Sequence, residues 1–466
     1  MDICVVGAGY VGLVTSACLA HFGNQVIAVD ANQEKVEQLK SGVVPFFEPG
    51  LDGFVKGCMD SGRLNFTADL KEAVANSEVI FIAVGTPPQS NGEPDLSQVM
   101  AVARAVGSAL DSKRLRIIVN KSTVPVGSGN WVEMLIHQGL SQAVPVPAAS
   151  GGAKKTEIPR FAVVSNPEFL REGSAIADSF YPDRIVVGSQ DEVATEVMRK
   201  LYQPIVDQTF VAPEFAPRPQ GFGLVPFVVT DLASAELIKY SANAFLAMKI
   251  SFANEVAGLC EKVGADVRQV MRGIGLDKRI GLSFLNAGVG WGGSCFGKDI
   301  SALVSVAREY NYPTSLLEST ISVNERQRLV VIKKLQEELK IIKGRTVGLM
   351  GLSFKPNTDD LRDAPSLTIA KQLLKMGLQV KAYDPVSIPV CKAQNPTLDI
   401  IYCDNLLDLA NNADALVVVT EWEEFRHADW KALGEVMRNR FVVDGRNTLN
   451  EAQVVEAGFV YRGIGH

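Results

Sequence analysis

Residues 288–299 read GVGWGGSCFGKD, and one cysteine of seven, Cys295, sits in this run with glycine at 288, 290, 292, 293 and 297. A thiolate is a strong nucleophile, and a neighbouring cation such as Lys298 lowers the pKa of a thiol. The glycine density predicts a backbone that wraps closely about a ligand. No second Cys or His lies nearby, so the run is not a metal site. Read alone, Cys295 is either a nucleophile or an inert small hydrophobe. A second group lies upstream. Lys239 and Asn243 are four residues apart inside an apolar helical stripe formed by Ile238, Ala242 and Leu246. An ammonium and an amide on one helix face can stabilise a developing oxyanion.

The N-terminus carries a different chemistry. Gly7, Gly9 and Gly12 form a GxGxxG run after the apolar segment DICVV and before a helical pattern that runs to about Phe22. Asp30 follows the next apolar segment, QVIAV. In this context Gly7 permits a tight turn, Gly9 lets backbone N–H groups approach a pyrophosphate, and Gly12 allows helix to pack on strand. Asp30 would accept hydrogen bonds from ribose hydroxyls and repel a 2′-phosphate. NAD is therefore expected rather than NADP.

Elements must hold these groups in place. β-like runs at 79–84, 116–120, 161–166 and 184–188 alternate with helical patterns, which predicts βαβ units and a parallel sheet. Residues 143–159 read as a surface loop. Residues 211–227 carry four prolines and read as a link between domains. A helix is expected from about Asp231, as N-cap, to Val263, with Gly264 as its stop. Further helices are expected at 266–274, 299–310 and 314–340. The α/β pattern restarts at RTVGLM (345–350) and continues through KAYDP, ALVVVT and FVVDG. The fold class is therefore α/β. Two Rossmann-like, doubly wound domains are joined by a long central helix and a helical middle. The expected domains are residues 1–210, 228–335 and 336–466.

Composition narrows the class. Apolar residues make up 47% and charged residues 21%, with a net charge of −6, so disorder and a nucleic-acid surface are both excluded. No apolar run is long enough for a transmembrane helix. Asp2 and the interrupting glycines argue against a signal peptide. The odd cysteine count without a CxxC pair indicates a reducing, cytoplasmic setting. Only four histidines are present, so an enzymatic base must be sought among other residues.

NPEFLREG (166–173), IKYSANAFLAMKISFANE (238–255), GWGGSCFGKD and GLSFKPNTDDLRDAP (351–365), in this order, resemble the UDP-glucose/GDP-mannose dehydrogenase family. The likeness extends from GAGYVG to VVDGRN, nearly the whole chain. It implies oxidation of a primary alcohol to a carboxylate by two NAD, through a thiohemiacetal and then a thioester on Cys295. Trp291, Phe296, FANE and TEWEEF resemble the branch that acts on UDP-glucose. GDP-mannose and a UDP-N-acetylhexosamine are the alternatives within this chemistry, and a non-catalytic nucleotide-sugar-binding protein is the alternative outside it.

The resemblance also assigns roles by position. Cys295 is implied as nucleophile, Lys239 and Asn243 as the oxyanion pair, and Asp299 as the group that activates or orients water. Thr123 and Glu168 are implied in water positioning and acid–base work, with a tuned carboxylate replacing histidine. Gly7, Gly9, Tyr10, Val11, Gly12, Asp30, Lys35, Thr86, Thr123, Glu172 and Arg362 match cofactor positions. Phe169, Leu170, Glu172, Lys239, Asn243, Phe284, Leu285, Gly292, Lys355 and Arg446 match positions that hold the UDP-sugar. Arg279 matches an arginine that reaches the substrate across a dimer interface, so a homodimer or higher homo-oligomer is implied. No metal, nucleic acid or membrane partner is implied. One position departs from the family pattern: Gly297 stands where proline is frequent.

Overall fold

The computed structural model describes residues 1–89, 92–143 and 158–466. They form two compact units, Met1–Ser241 and Ala242–His466. The loop expected at 143–159 falls almost entirely outside the described residues.

The first unit is built on eight strands: β1 (Asp2–Val6), β2 (Gln25–Val29), β3 (Leu64–Thr67), β4 (Val79–Ile82), β5 (Arg116–Asn120), β6 (Phe161–Ser165), β7 (Ile185–Gly188) and β8 (Phe227–Thr230). Their order is β3-β2-β1-β4-β5-β6-β7-β8. Side chains alternate along each strand, and both faces are covered. Ile3, Val5, Phe81 and Val119 pack into one core, and Cys4, Val6, Ile80 and Ile118 into another. That is why the strands read as continuous apolar runs. One pairing departs from the expected parallel sheet: β6 and β7 meet antiparallel, at Ser165 and Gly188. The connection between them holds NPEFLREG and a helix of only six residues, Ala175–Phe180, and it returns the chain in the opposite direction.

The proline-rich stretch 211–227 belongs to the first unit. It packs within the first unit, where Tyr181 Oη donates to Ala216 O at 2.8 Å and Val225 N to Val206 O at 2.9 Å. It then leads into β8. The long helix follows, Leu232–Val263, and its 32 residues span about 48 Å. Asp231 Oδ1 accepts from Ser234 N at 2.8 Å, as an N-cap does. Gly264, at φ 72°, turns the chain out of the helix. The boundary between the units falls inside this helix, after Ser241.

The second unit carries β9 (Thr346–Met350), β10 (Gln379–Tyr383), β11 (Ile400–Tyr402), β12 (Ala415–Val418), β13 (Phe441–Asp444) and β14 (Val460–Arg462). The order β11-β10-β9-β12-β13-β14 is parallel throughout and repeats the arrangement of β3-β2-β1-β4-β5-β6. Helices Val267–Gly275, Phe296–Glu309, Ser315–Arg328 and Val330–Leu339 precede this sheet. The stretch 314–340, expected as one helix, is two, broken at Leu329. Among the described residues, no helix is long and apolar enough to cross a membrane.

Candidate active site

The glycine fingerprint closes a crevice at the carboxyl end of β1. Gly7 has φ 103°, and a Cβ there would lie 2.7 Å from Ala83 O. A Cβ on Gly12 would lie 1.7 Å from Gly7 O, so the helix Tyr10–His21 can seat on the turn only with glycine at this position. A Cβ on Gly9 would meet nothing within 4 Å, which leaves that turn open for a pyrophosphate against the helix N-terminus. Asp30 Oδ2 accepts from Ala8 N at 3.0 Å and from Lys35 Nζ at 2.8 Å. Burial works to raise the Asp30 pKa, but Lys35 and the backbone N–H groups outweigh it and the net shift is downward. An ionised acid beside an open glycine turn fits the adenosine ribose and pyrophosphate of NAD. At the ends of β4 and β5, Thr86 Oγ1 donates to Thr123 O at 2.9 Å, which ties two of the predicted residues together.

Sequence reading missed the anchor of this crevice. Glu48, 4% exposed, accepts from Gly173 N at 2.5 Å and Ala175 N at 2.8 Å, and it also bonds the hydroxyl of Tyr10. It thereby fastens the end of NPEFLREG, including Glu172, to the fingerprint helix.

Glu168 lies buried in the first unit at the end of β6. Lys239 Nζ reaches Glu168 Oε1 at 3.0 Å, with the two side chains 4% and 7% exposed. Leu170 N donates to Glu168 Oε2 at 2.6 Å. Burial alone would raise the Glu168 pKa, but Lys239, the Leu170 N–H and Lys121 bring it below the ordinary value. A carboxylate tuned upward, as a base requires, is therefore not what this environment makes. Glu168 is held as an anion. Lys121 was also missed: burial lowers its pKa to about 8, and its Nζ donates to Asn166 Oδ1 at 3.2 Å. Phe169 lies under the Arg184 guanidinium at 3.6 Å and under Lys239 Nζ at 5.3 Å.

In the second unit, Cys295 is the N-cap of Phe296–Glu309, where the helix dipole favours negative charge on sulfur. The thiol is half-buried, and Ser294 Oγ lies 3.4 Å from Sγ. Asp299, one turn on, is fully buried. Asn243 Nδ2 donates to Asp299 Oδ2 at 2.5 Å, and Lys298 Nζ to Oδ1 at 2.7 Å. Lys298, expected to act on the thiol, thus pairs with Asp299. Asn243 likewise bonds this carboxylate, and the partner of Lys239 is Glu168.

The glycines of the cysteine run answer to the protein itself. A Cβ on Gly290 would lie 2.6 Å from Asn324 Oδ1, on Gly292 2.3 Å from Asp363 O, and on Gly293 2.7 Å from the Phe354 ring. Arg446 donates to Val419 O at 2.7 Å, Gly290 O at 3.0 Å and Phe354 O at 3.3 Å. It therefore joins the cysteine run to the turn that carries Lys355, whose Nζ lies 5.3 Å from the Phe354 ring centroid. Arg362 pairs with Asp360 at 2.8 Å, and its carbonyl accepts from Gly293 N at 2.9 Å. Phe284 holds φ 65° near Phe296, whereas the Leu285 side chain is committed to a core with Ala253 and Met271. Arg279 is 88% exposed and pairs with Asp277.

The first unit's open glycine turn with its ionised acid has the form of a dinucleotide-dependent dehydrogenase, and the second unit separately carries a half-buried thiol one turn from a buried carboxylate. Profiles of the UDP-glucose/GDP-mannose dehydrogenase family match its NAD-binding domain at residues 1–206, its central domain at 233–326 and its UDP-binding domain at 348–451. The chain belongs to this family, and NAD is its cofactor. It is 44% identical to UDP-glucose 6-dehydrogenase of Pseudomonas aeruginosa, over 100% of this chain and 97% of the relative. It is 45% identical to UDP-glucose 6-dehydrogenase of Rhizobium meliloti, over 100% and 99%. The solved UDP-glucose dehydrogenase of Pyrobaculum islandicum superposes with a TM-score of 0.86 at 36% identity, covering 99% of this chain and 97% of that one.

Proposed function

We propose that the protein oxidises UDP-glucose to UDP-glucuronate in two stages through a covalent bond to Cys295. The observation that carries this reading is a half-buried thiol at a helix N-terminus, one turn from a fully buried carboxylate. An alcohol oxidation that ends at the aldehyde has no use for a thiol. Gly7, Gly9, Gly12 and Asp30 would hold NAD, which would supply the hydride acceptor for each stage. The Cys295 thiolate adds to the carbon-6 aldehyde, and the Lys239 ammonium and Asn243 amide stabilise the oxygen as it gains charge. Oxidation of the resulting thiohemiacetal gives a thioester. Asp299, held by Asn243 and Lys298, directs the water that releases the carboxylate and restores the thiol. Glu168 keeps Lys239 charged and in place. The balance per sugar is one water added, two hydrides removed and three protons released as the alcohol becomes a carboxylate.

Close relatives that carry the UDP-glucose name support the substrate. A homodimer is also part of this reading. Phe245, Phe252 and Leu259 recur every seven residues on the long helix and are at least half exposed, so they form an apolar stripe suited to a second copy. Arg279 is then available to a partner's site. Six of the seven cysteines are buried free thiols, which suits a reducing compartment.

The test counts NADH released per sugar consumed, with UDP-glucose, GDP-mannose and UDP-N-acetylglucosamine offered in parallel. Two NADH per UDP-glucose is expected; a ratio of one would remove the covalent stage. Cys295→Ala is expected to abolish UDP-glucuronate while leaving UDP-glucose affinity within about threefold. A variant that still forms the uronate would overturn the mechanism.

A further inference from the structure

The helix Ser315–Arg328 carries polar side chains that are buried and turned onto the cysteine run. Asn324 grips Trp291 from both sides: Trp291 N donates to its Oδ1 at 2.8 Å, and its Nδ2 donates to Trp291 O at 3.0 Å. Arg328 Nη2 donates to the same carbonyl at 2.8 Å. The other side of that guanidinium forms a two-pronged pair with Asp363, at 2.6 and 2.7 Å. Gln327 Nε2 donates to Gly288 O at 2.8 Å. Asn324 is 2% and Arg328 8% exposed.

A buried guanidinium and a buried amide are costly to desolvate, and a helix packed on a loop needs neither. What they supply is directional. Glycine loops have wide backbone freedom, and here the peptide at Trp291 is fixed at both its N–H and its C=O, four residues before the thiol. Arg328 extends the grip to the turn 354–363, whose Arg362 carbonyl holds Gly293 N. The glycines at 290 and 292 are required because the clamp lies too close for any Cβ.

We propose that Asn324 and Arg328 are positioning residues for the thiol: they preorganise the glycine run so that Cys295 is presented as a nucleophile at the start of its helix. This deepens the covalent reading above and rests on it. The signal was absent from the sequence, where VNERQR lies inside the one helix expected over 314–340.

The test uses the full chain with Asn324→Ala, Arg328→Lys and Asp363→Asn. The last alters the partly exposed end of the clamp and so spares the fold. Three readouts are taken: the pH dependence of Cys295 alkylation by iodoacetamide, kcat and KM for UDP-glucose, and thermal stability. Loosening the loop is expected to move the alkylation midpoint upward by about half a pH unit or more. It should lower kcat about tenfold while KM stays within about threefold. Arg328→Lys, which keeps the charge but loses the fork, should fall between wild type and Asn324→Ala. A merely structural role would lower thermal stability but leave the alkylation midpoint and the kcat of folded enzyme unchanged, and that result in Asp363→Asn and Arg328→Lys overturns the proposal. The alkylation profile needs no substrate. A wild-type enzyme releasing one NADH per sugar would therefore refute the covalent reading separately from the clamp.

Discussion

Asp30 and Asp384 occupy the same place in two sheets that share a six-strand order, Asp30 just after β2 and Asp384 just after β10. Each accepts from the backbone of the first turn, Asp30 from Ala8 N at 3.0 Å and Asp384 from Leu352 N at 2.8 Å. Each also accepts from the N–H two residues on, Asn32 N for Asp30 and Val386 N for Asp384, both at 3.0 Å, and there the likeness ends. The Asp30 side chain is 15% exposed and pairs with Lys35. Asp384 is 2% exposed and also takes Ser353 N, Ser353 Oγ, Ser387 N and Trp422 Nε1. An ionised carboxylate offers about four lone-pair sites. Protein donors fill those of Asp384, whereas Asp30 keeps acceptor capacity for a ribose. One topology thus yields an acid that reads a ligand and an acid that holds its own turn.

Exchanging the roles of these acids is the strongest way to break that contrast. Asp384→Ala strips a buried acceptor from several donors, and about 3–5 kcal/mol of stability is expected to be lost in urea unfolding. A stable variant would show that the second acid is dispensable to the fold. Asp30→Ala is expected to raise KM for NAD about tenfold or more, with a smaller fall in melting temperature than Asp384→Ala, because fewer protein donors lose their acceptor.

Glu236 extends the contrast to a third carboxylate, one buried against backbone N–H groups. It accepts from Gly127 N at 2.6 Å and Gly129 N at 2.8 Å at the start of the helix Ser128–Ala143, and burial outweighs these bonds to push its pKa up to about 7. An acid raised on folding stabilises fully below its ordinary value of 4.5 and loses that contribution as pH rises through about 7. Stability on the order of 2 kcal/mol should therefore fade over that window in wild type. In Glu236→Ala the fade should be missing from thermal melts across pH, on a lower baseline; a wild-type curve flat from about pH 5 to about pH 8 would remove the assignment.

The smallest effect separates two glycines of the cysteine run. A Cβ on Gly292 would lie 2.3 Å from Asp363 O, whereas on Gly297 it would lie 3.4 Å from Asp363 Oδ2, an ordinary contact. Gly297→Ala is expected to add about 0.5–1 kcal/mol in denaturant titration, because it narrows only the unfolded chain. A loss of stability would mean that Gly297, where the family often places proline, is structurally required.

The central parts of the fold could be read from the sequence because their signals are local. Strands buried on both faces, such as β1 and β4, are unbroken apolar runs, and the long helix announces both its cap and its stop. The edge strands β3, β8, β11 and β14 have three or four residues and a single neighbour, so their pattern is too short to register. The same division runs through the candidate site. Gly7, Asp30 and Cys295 sit in dense local motifs. Glu48, Lys121, Asn324 and Arg328 act on partners between 33 and 127 residues away, which no window of sequence can show. Arg328 is such a case: its partner Asp363 lies beyond the next helix and strand.

Glu48 carries one more consequence, for how such an enzyme can be taken apart. It holds Tyr10 of the fingerprint helix with one oxygen and Ala175 N, after the NPEFLREG loop, with the other. Three segments far apart in the chain therefore form one heritable part. A recombinant that imports residues 1–60 from a relative must import residues 166–175 with them, or the borrowed glutamate arrives without the backbone it was shaped to grip.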